Sequence, residues 1–307
     1  MHARHQEPET DHAVELPVDG APRAWVRRPH GYWGGVSRRL SRDPTTLVCA
    51  LILTTVVLAA LLAPYLDLAD PYRTSVIYRL KPPGTPGHLL GTDELGRDLL
   101  ARLIYGGRLS LLMGFVPVLI ATLVGAVLGI LAGYFGGLVN AAIMRTMDVF
   151  YAFPSILLAV AISGVLGGGV MNGLFSLTLI FIPSIARVSE SITMGVRTQD
   201  FVDAARVTGA YPHQILLSHI LKNVIGQILV FSSSLISISI VVAAGLSFLG
   251  LGVAPPQAEW GLMLSTLRPT IYVAPLNAIL PGIMIFITSM CFNLMSDGLR
   301  NAMDVKG

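Results

Sequence analysis

Residues 200–223 read DFVDAARVTGAYPHQILLSHILKN, a polar, charge-bearing island in the second half of a chain that is otherwise mostly apolar. Asp200 can cap a short helix. Asp203, three positions on, gives an acidic variant of the capping-box spacing and suits the positive helix N-terminus. Phe201, Val202, Ala204, Ala205 and Val207 supply an apolar, small-residue surface. Gly209 stops the helix, because glycine enters the left-handed conformation a helix end often needs. Pro212 suits the first turn of a second helix, 212–222, which runs into the next apolar segment. The expectation is a compact helix-turn-helix presented to water by a membrane-embedded chain. A docking partner requires that shape, whereas a lipid-facing loop does not. An amphipathic interfacial hairpin with no partner is the other reading of the same residues.

Composition supports the membrane setting. Of 307 residues 53% are apolar and only 13% charged, against about 25% charged in soluble domains. The formal charge of +3 is no nucleic-acid signal, since the arginines are scattered through tails and loops with no basic face interleaved with aromatics. Cys49 and Cys291 both lie in apolar runs, read as packing residues, and form no metal set. Residues 1–46 are rich in Pro, His, Arg and acidic residues and offer no cleavable signal peptide, so the first apolar run reads as an uncleaved anchor. Residues 1–29 read as disordered. Residues 33–42 read as a positively charged flank that fixes orientation, or as an aromatic and basic segment lying on the membrane surface.

A span needs about 20 apolar residues. Six stretches qualify: 47–66, 109–134, 149–171, 174–186, 224–249 and 276–294, with five or seven spans as alternatives. The fourth is short and interrupted by Pro183, so it is expected to borrow residues 188–192 and their flanks. An inside N-terminus puts fourteen of the 21 basic residues inside and seven outside. The bias predicts both termini, and the 200–223 hairpin within a loop at 187–223, in the cytoplasm. The chain then divides into a tail (1–46), a first span (47–66), an outer loop (67–108), a core with five further spans (109–296) and a tail (297–307).

Within the outer loop, residues 93–105 read as an amphipathic helix with Leu95, Leu99, Leu100, Leu103 and Ile104 as its apolar stripe. Gly125, Gly129 and Gly133 recur every four residues in the second span. Such a stripe lets helix backbones approach closely in lipid, with pore lining as the second reading. The serines at 232, 233, 234, 237 and 239 line a polar path or bond between helices. Residues 245–261 form a turn region with Trp260 at interface depth.

The order Asp203-Ala204-Ala205, Gly209, then His219-Ile220-Leu221 resembles the EAA loop of ABC-importer permeases, whose pattern is Glu-Ala-Ala, three residues, Gly, nine residues, Ile-x-Leu-Pro. Here Asp203 replaces Glu, His219 replaces Ile and Lys222 replaces Pro, which leaves the approach to the next helix less sharply broken. The run Gly91-Thr92-Asp93-Glu94-Leu95-Gly96-Arg97-Asp98, followed by Tyr105-Gly106-Gly107-Arg108-Leu109-Ser110, closely resembles the outer-loop signature of dipeptide and oligopeptide permeases of the C type. That loop either touches a substrate-binding protein, roofs the pore, or only packs on neighbouring spans. Residues 245–261 and Asp297-Gly298-Leu299-Arg300-Asn301 are similar to the same family. The resemblance runs from 91 to 304 and leaves out the first 46 residues.

What the resemblance implies is an all-α membrane protein of the type I ABC-importer permease class in the bacterial inner membrane, importing di- or oligopeptides. It implies half a translocation pore, completed by a second permease subunit, a paralogue, with an extracytoplasmic substrate-binding protein. Two ATPase subunits, or a fused ATPase, would bind ATP and Mg and dock through Asp200, Phe201, Asp203, Ala204, Ala205, Arg206, Gly209, His219 and Leu221. Other importers in this branch take nickel or glutathione, and a stand-alone channel or secondary carrier is the reading from another class.

The missing chemistry agrees. The three lysines, at 81, 222 and 306, are never preceded by glycine, so no Walker A loop is present to cradle phosphates. The centres of the proposed spans lack Asp, Glu, Lys, Arg and His, which argues against ion coupling and intramembrane catalysis. The expectation is a transporter subunit without an ATPase site or cofactor of its own.

Overall fold

The computed structural model describes residues 32–303. The stretch read as disordered, 1–29, and the last four residues lie outside them. The described residues form helices and connecting loops with no named strand.

α1 (Tyr32–Leu40) lies against the end of the last helix, where Arg39 Nη1 donates to Ala302 O at 3.4 Å. α2 (Pro44–Leu62) is capped by Asp43, which accepts from Thr45 N at 3.2 Å, and Pro44 sits in the first turn where a missing N–H costs nothing. α3 (Leu99–Phe135) is a single rod of 37 residues that absorbs the expected second span. The predicted helix over 93–105 is corrected here. Its first six residues form a turn, with Gly96 at φ +74 and Asp93 Oδ1 accepting from Leu95 N and Arg97 N, both at 2.9 Å. A helix starts only at Leu99, after Asp98 accepts from Ala101 N at 2.8 Å. Local side-chain bonds to the backbone outcompete the apolar periodicity.

The third expected span, 149–171, is also corrected. α4 (Gly137–Tyr151) and α5 (Ser155–Leu166) meet at an angle of 84°. Pro154 lacks a donor and disfavours helical backbone at Phe153, so the helix breaks there. α6 (Val170–Arg197) continues through Pro183 and takes in residues 188–192, the extension expected of the short fourth span, and runs on to Arg197.

α7 (Asp200–Val207) is followed by α8, a single turn at Pro212–Gln214, and a π-helical stretch, Ile215–Ile220, that leads into α9 (Leu221–Phe248). The expectation of a plain α-helix over 212–222 gives way to this wider turn, in which Leu221 N donates to Leu216 O. Ile215 and Ile220 are both buried. Five residues apart, they would face apart on an α-helix but share a face on a π-turn. α10 (Trp260–Leu267) and α11 (Pro275–Met303) complete the chain. Five helices are long and apolar enough to cross a membrane, and the bent α4–α5 pair makes up to six.

α3 against α6 is the most extensive helix contact. A Cβ added at Gly125, Gly129 or Gly133 would come within 2.9, 2.2 or 2.7 Å of the carbonyls of Ile182, Ala186 and Glu190. The glycine stripe thus holds two backbones in direct contact. Four of the five serines bond between helices or to their own backbone, and the buried Ser232 hydroxyl has no partner among the described residues. Ser233 donates to Ser296 Oγ at 2.9 Å, Ser239 to Met113 O at 3.2 Å. Cys49 and Cys291 meet with Leu53 in a small apolar cluster between α2 and α11.

The two ends of the bundle differ. One gathers α1, the α3–α4 junction, α7 and the end of α11. The other gathers the 67–98 loop, residues 249–259 and α10. There Trp260, expected at an interface, is fully buried, its Nε1 donating to Leu103 O at 2.8 Å.

Candidate functional site

At the first end, α7 hangs three residues beyond α6. Its N-cap is Gln199, not Asp200, which is already helical. The Gln199 carbonyl accepts from Val202 N at 2.9 Å, and no capping side chain is engaged. Asp203 instead pairs with Arg206 one turn on, at 2.7 Å on the open surface. Gly209 takes φ +82, and Ala210 N reaches back to Ala205 O at 3.1 Å, the closing bond of a Schellman end.

Val202 and Ala205 point inward, into the cluster that holds Ile215, Ile220 and Val224. Phe201, Asp203, Ala204, Arg206 and Val207 stay exposed. Ala205 is therefore part of the hairpin's own core, whereas Ala204 faces outward. His219 lies beside Phe201, with ring centroids 6.3 Å apart, and Leu221 is half-buried at the start of α9. The exposed face also carries Val207, 88% exposed, and Tyr211, stacked on His213 at 5.8 Å. Sequence reasoning passed over that pair. Its signal was an aromatic residue two positions before a histidine around Pro212, within the turn.

The base of the hairpin is tied down. Asn140 Nδ2 donates to Glu190 Oε1 at 2.6 Å and Arg197 Nη1 to Gly133 O at 3.5 Å, while Arg187 pairs with Asp148. These contacts join α6 to α3 and α4 just where α7 departs.

At the opposite end the loop signature is entirely buried: Gly91, Thr92, Asp93, Gly96, Arg97 and Asp98. Asp93 is its hub, receiving Arg97 Nε at 2.6 Å and standing 3.2 Å from Arg102 Nε. Arg102 spends its other donors on Pro71 O at 3.1 Å and Gln257 O at 3.3 Å. A Cβ at Gly96 would lie 1.9 Å from Ser75 O. Thr92 Oγ1 donates to Tyr78 O, and Asn277 on α11 reaches both Lys81 O and Thr92 O at 2.9 Å. Asp98 also meets His88 Nδ1 at 2.8 Å. Most of these contacts fold the loop on itself, while Asp93 through Arg102, Asp98 through the start of α3 and Thr92 through Asn277 fasten it to the bundle.

Glu259 adds a second lock. Its carboxylate accepts from Gly261 N and Leu262 N at 2.8 Å and from Ser110 Oγ at 3.1 Å, capping α10 and tying it to α3. Burial holds this carboxyl above the ordinary glutamate range, and its hydrogen bonds draw it only partway back. Among the described residues no group of three His, Cys, Asp or Glu is placed to hold a metal.

Residues 125–306 match the family described as binding-protein-dependent transport system inner membrane component. The chain belongs to this family. It is a multi-pass inner-membrane permease of the ABC-importer class. A second match, the N-terminal TM domain of oligopeptide transport permease C, covers residues 31–83. That corrects the expectation that nothing before residue 47 shares the likeness.

Relatives of this permease extend over nearly its whole length. It is 40% identical over 281 residues to the glutathione transport system permease protein GsiD of Pectobacterium atrosepticum, covering 92% of each chain. It is 38% identical over 274 residues to the dipeptide transport system permease protein DppC of Alkalihalophilus pseudofirmus, covering 89% of this chain and 90% of that one. The fold is shared with the MetNI methionine ABC transporter, at a TM-score of 0.55 and 19% identity over 66% of this chain and 97% of that one.

Proposed function

We propose that this permease forms half of the translocation path of an ATP-driven importer of short peptides, and that α7 is the joint through which a separate ATPase moves it. The observation that carries the reading is the α7 hairpin: its core side is seated on Ile215 and Ile220, while Phe201, Asp203, Ala204 and Arg206 are exposed among the described residues. A docking groove would receive Ala204 closely, because its side chain is small, and would bond Asp203 and Arg206 at its rim.

In this reading both termini and α7 face the cytoplasm, and the 67–98 loop faces outward. A paralogous second permease completes the pore, a binding protein delivers solute, and two ATPase subunits, or a fused one, hold ATP and Mg. This chain performs no catalysis of its own. Dipeptide and glutathione relatives both point to solutes built from amide and carboxylate groups, and glutathione is the alternative cargo.

Ala204→Asp introduces a charge into the seat, and Gly209→Val forces a β-branched residue into left-handed backbone. Both are expected to insert in the membrane normally and to lose co-purification with the ATPase. Wild-type co-purification and uptake by both variants would refute the docking role. Uptake of labelled dipeptide and glutathione in proteoliposomes then assigns the cargo.

A further inference from the structure

The α11 helix shows one exposed stripe at three- and four-residue spacing. From Leu276 to Met290 this stripe is apolar, and from Asn293 it is polar, with Asp297 and Arg300 following. Asn293 lies ten residues before the end of α11 at Met303, about 15 Å at 1.5 Å per residue. α11 is 29 residues long, about 43 Å, so a hydrocarbon core of about 30 Å centred on it would reach to about residue 299 and enclose Asn293. On α3, by contrast, every exposed side chain from Leu112 to Val127 is apolar. An amide turned to lipid at such depth would have nothing to bond, so the α11 stripe faces water or protein.

The surface around it is hollow. A cleft of 520 Å³ lies between α6, α9 and α11, with Gln227, Phe231 and Arg300 on its walls. A second, of 400 Å³, opens along the same α9–α11 seam beside Ser289 and Asn293. Both clefts border the stripe, the first at Arg300 and the second, which is mostly apolar, at Asn293.

We propose that Gln227, Asn293 and Arg300 form one wall of the water-filled solute path. They take a solute that carries amide and carboxylate groups. The two side-chain amides exchange hydrogen bonds with peptide units, and the guanidinium of Arg300 meets a carboxylate in bidentate fashion. The assignment rests on the permease reading above and goes further by naming the residues that face the solute.

The test is cysteine accessibility in the assembled complex in nanodiscs, using a charged methanethiosulfonate reagent. The native cysteines are buried, and the wild-type complex gives their background rate. Asn293→Cys is expected to react at least tenfold faster than Leu119→Cys on the lipid face of α3. Equal rates, or ready oxidative crosslinking of Asn293→Cys to the second permease without reaction with the reagent, would overturn the assignment. Should Asn293→Cys not assemble, Gln227→Cys, which shares the first cleft with Arg300, is held to the same ratio. ATP-driven uptake of a dipeptide and of glutathione by the wild-type complex separates the two levels. Uptake with slow labelling overturns the wall alone, and no uptake of either solute overturns the permease reading and the wall with it.

Discussion

Gly129→Ala tests the contact on which the bundle is built. A methyl group there would sit 2.2 Å from Ala186 O and 2.6 Å from Ser189 Cβ. Ordinary contact begins near 3.4 Å, so α6 has to retreat by more than 1 Å. The obstacle is a helical backbone carbonyl, which cannot rotate aside as a side chain could. Tilting gives little relief, because Gly125 and Gly133 are also closely seated one turn to each side, at 2.9 and 2.7 Å from carbonyls of α6. Overpacking of this kind costs about 1–3 kcal/mol, and a backbone clash belongs at the upper end. Replacing a helical glycine by alanine returns up to about 1 kcal/mol, which leaves a net loss of about 2. Gly195, on the exposed side of the same α6, has nothing within 4 Å of its Cβ position. Gly195→Ala therefore gains the propensity without a clash. The two variants should differ by about 3 kcal/mol, roughly a hundredfold in the unfolding equilibrium. Unfolding in mild detergent titrated with dodecyl sulfate, followed by tryptophan fluorescence and circular dichroism, measures the difference. Gly129→Ala at least as stable as Gly195→Ala would show that α3 and α6 are not in backbone contact.

Three further outcomes follow from the loop end of the bundle. Asp93→Asn leaves Arg102 buried without a counter-charge and Arg97 paired only with Glu94, a loss of roughly 3–5 kcal/mol, and limited proteolysis should then cut within 67–98 while α3 stays intact. Trp260→Phe deprives the Leu103 carbonyl of its donor at 2.8 Å, which should lower stability by about 1–3 kcal/mol in the same detergent titration. Glu259 has a native carboxyl raised by burial, so its protonated form is the one the fold favours. Its contribution to stability is complete below the ordinary glutamate value near 4.5 and is lost as pH rises through the raised native value. The melting temperature of the wild type should therefore fall with pH across that window more steeply than that of Glu259→Gln, and parallel slopes would contradict the assignment.

Residues whose type dictates backbone were legible from the sequence. Gly209 ends α7 in the left-handed region, and the 125–129–133 glycines pack helix on helix, because in each case only a missing Cβ permits the geometry. The apolar runs located the spans but not their ends. α4 escaped notice because Asn140, Arg145 and Asp148 dilute its hydropathy. The six residues before Leu99 were misread for the opposite reason: Leu95 and Leu99 keep helical spacing, yet the Asp93 carboxylate satisfies the local N–H groups better as a turn. Trp260 was assigned to an interface by residue type alone, and only the tertiary partner, Leu103 O, reveals it as core. In the hairpin, composition identified which residues matter to its shape, but not that Ala205 faces inward while Ala204 faces out. Ala205 shares the buried face of Val202, three positions earlier, and that face packs on Ile215 and Ile220, which the π-turn brings together.

The glycine clasp has a mechanical corollary. Two rods whose carbonyls and α-carbons touch over three turns can neither slide nor scissor, so α3 and α6 behave as one strut. α3 alone is 37 residues long, about 55 Å, nearly twice the thickness of a hydrocarbon core. On the docking role proposed above, a push delivered at α7 would pass along this strut toward the far side of the bilayer, and the 84° elbow between α4 and α5, where the chain leaves helical register, would be the place for the core to bend.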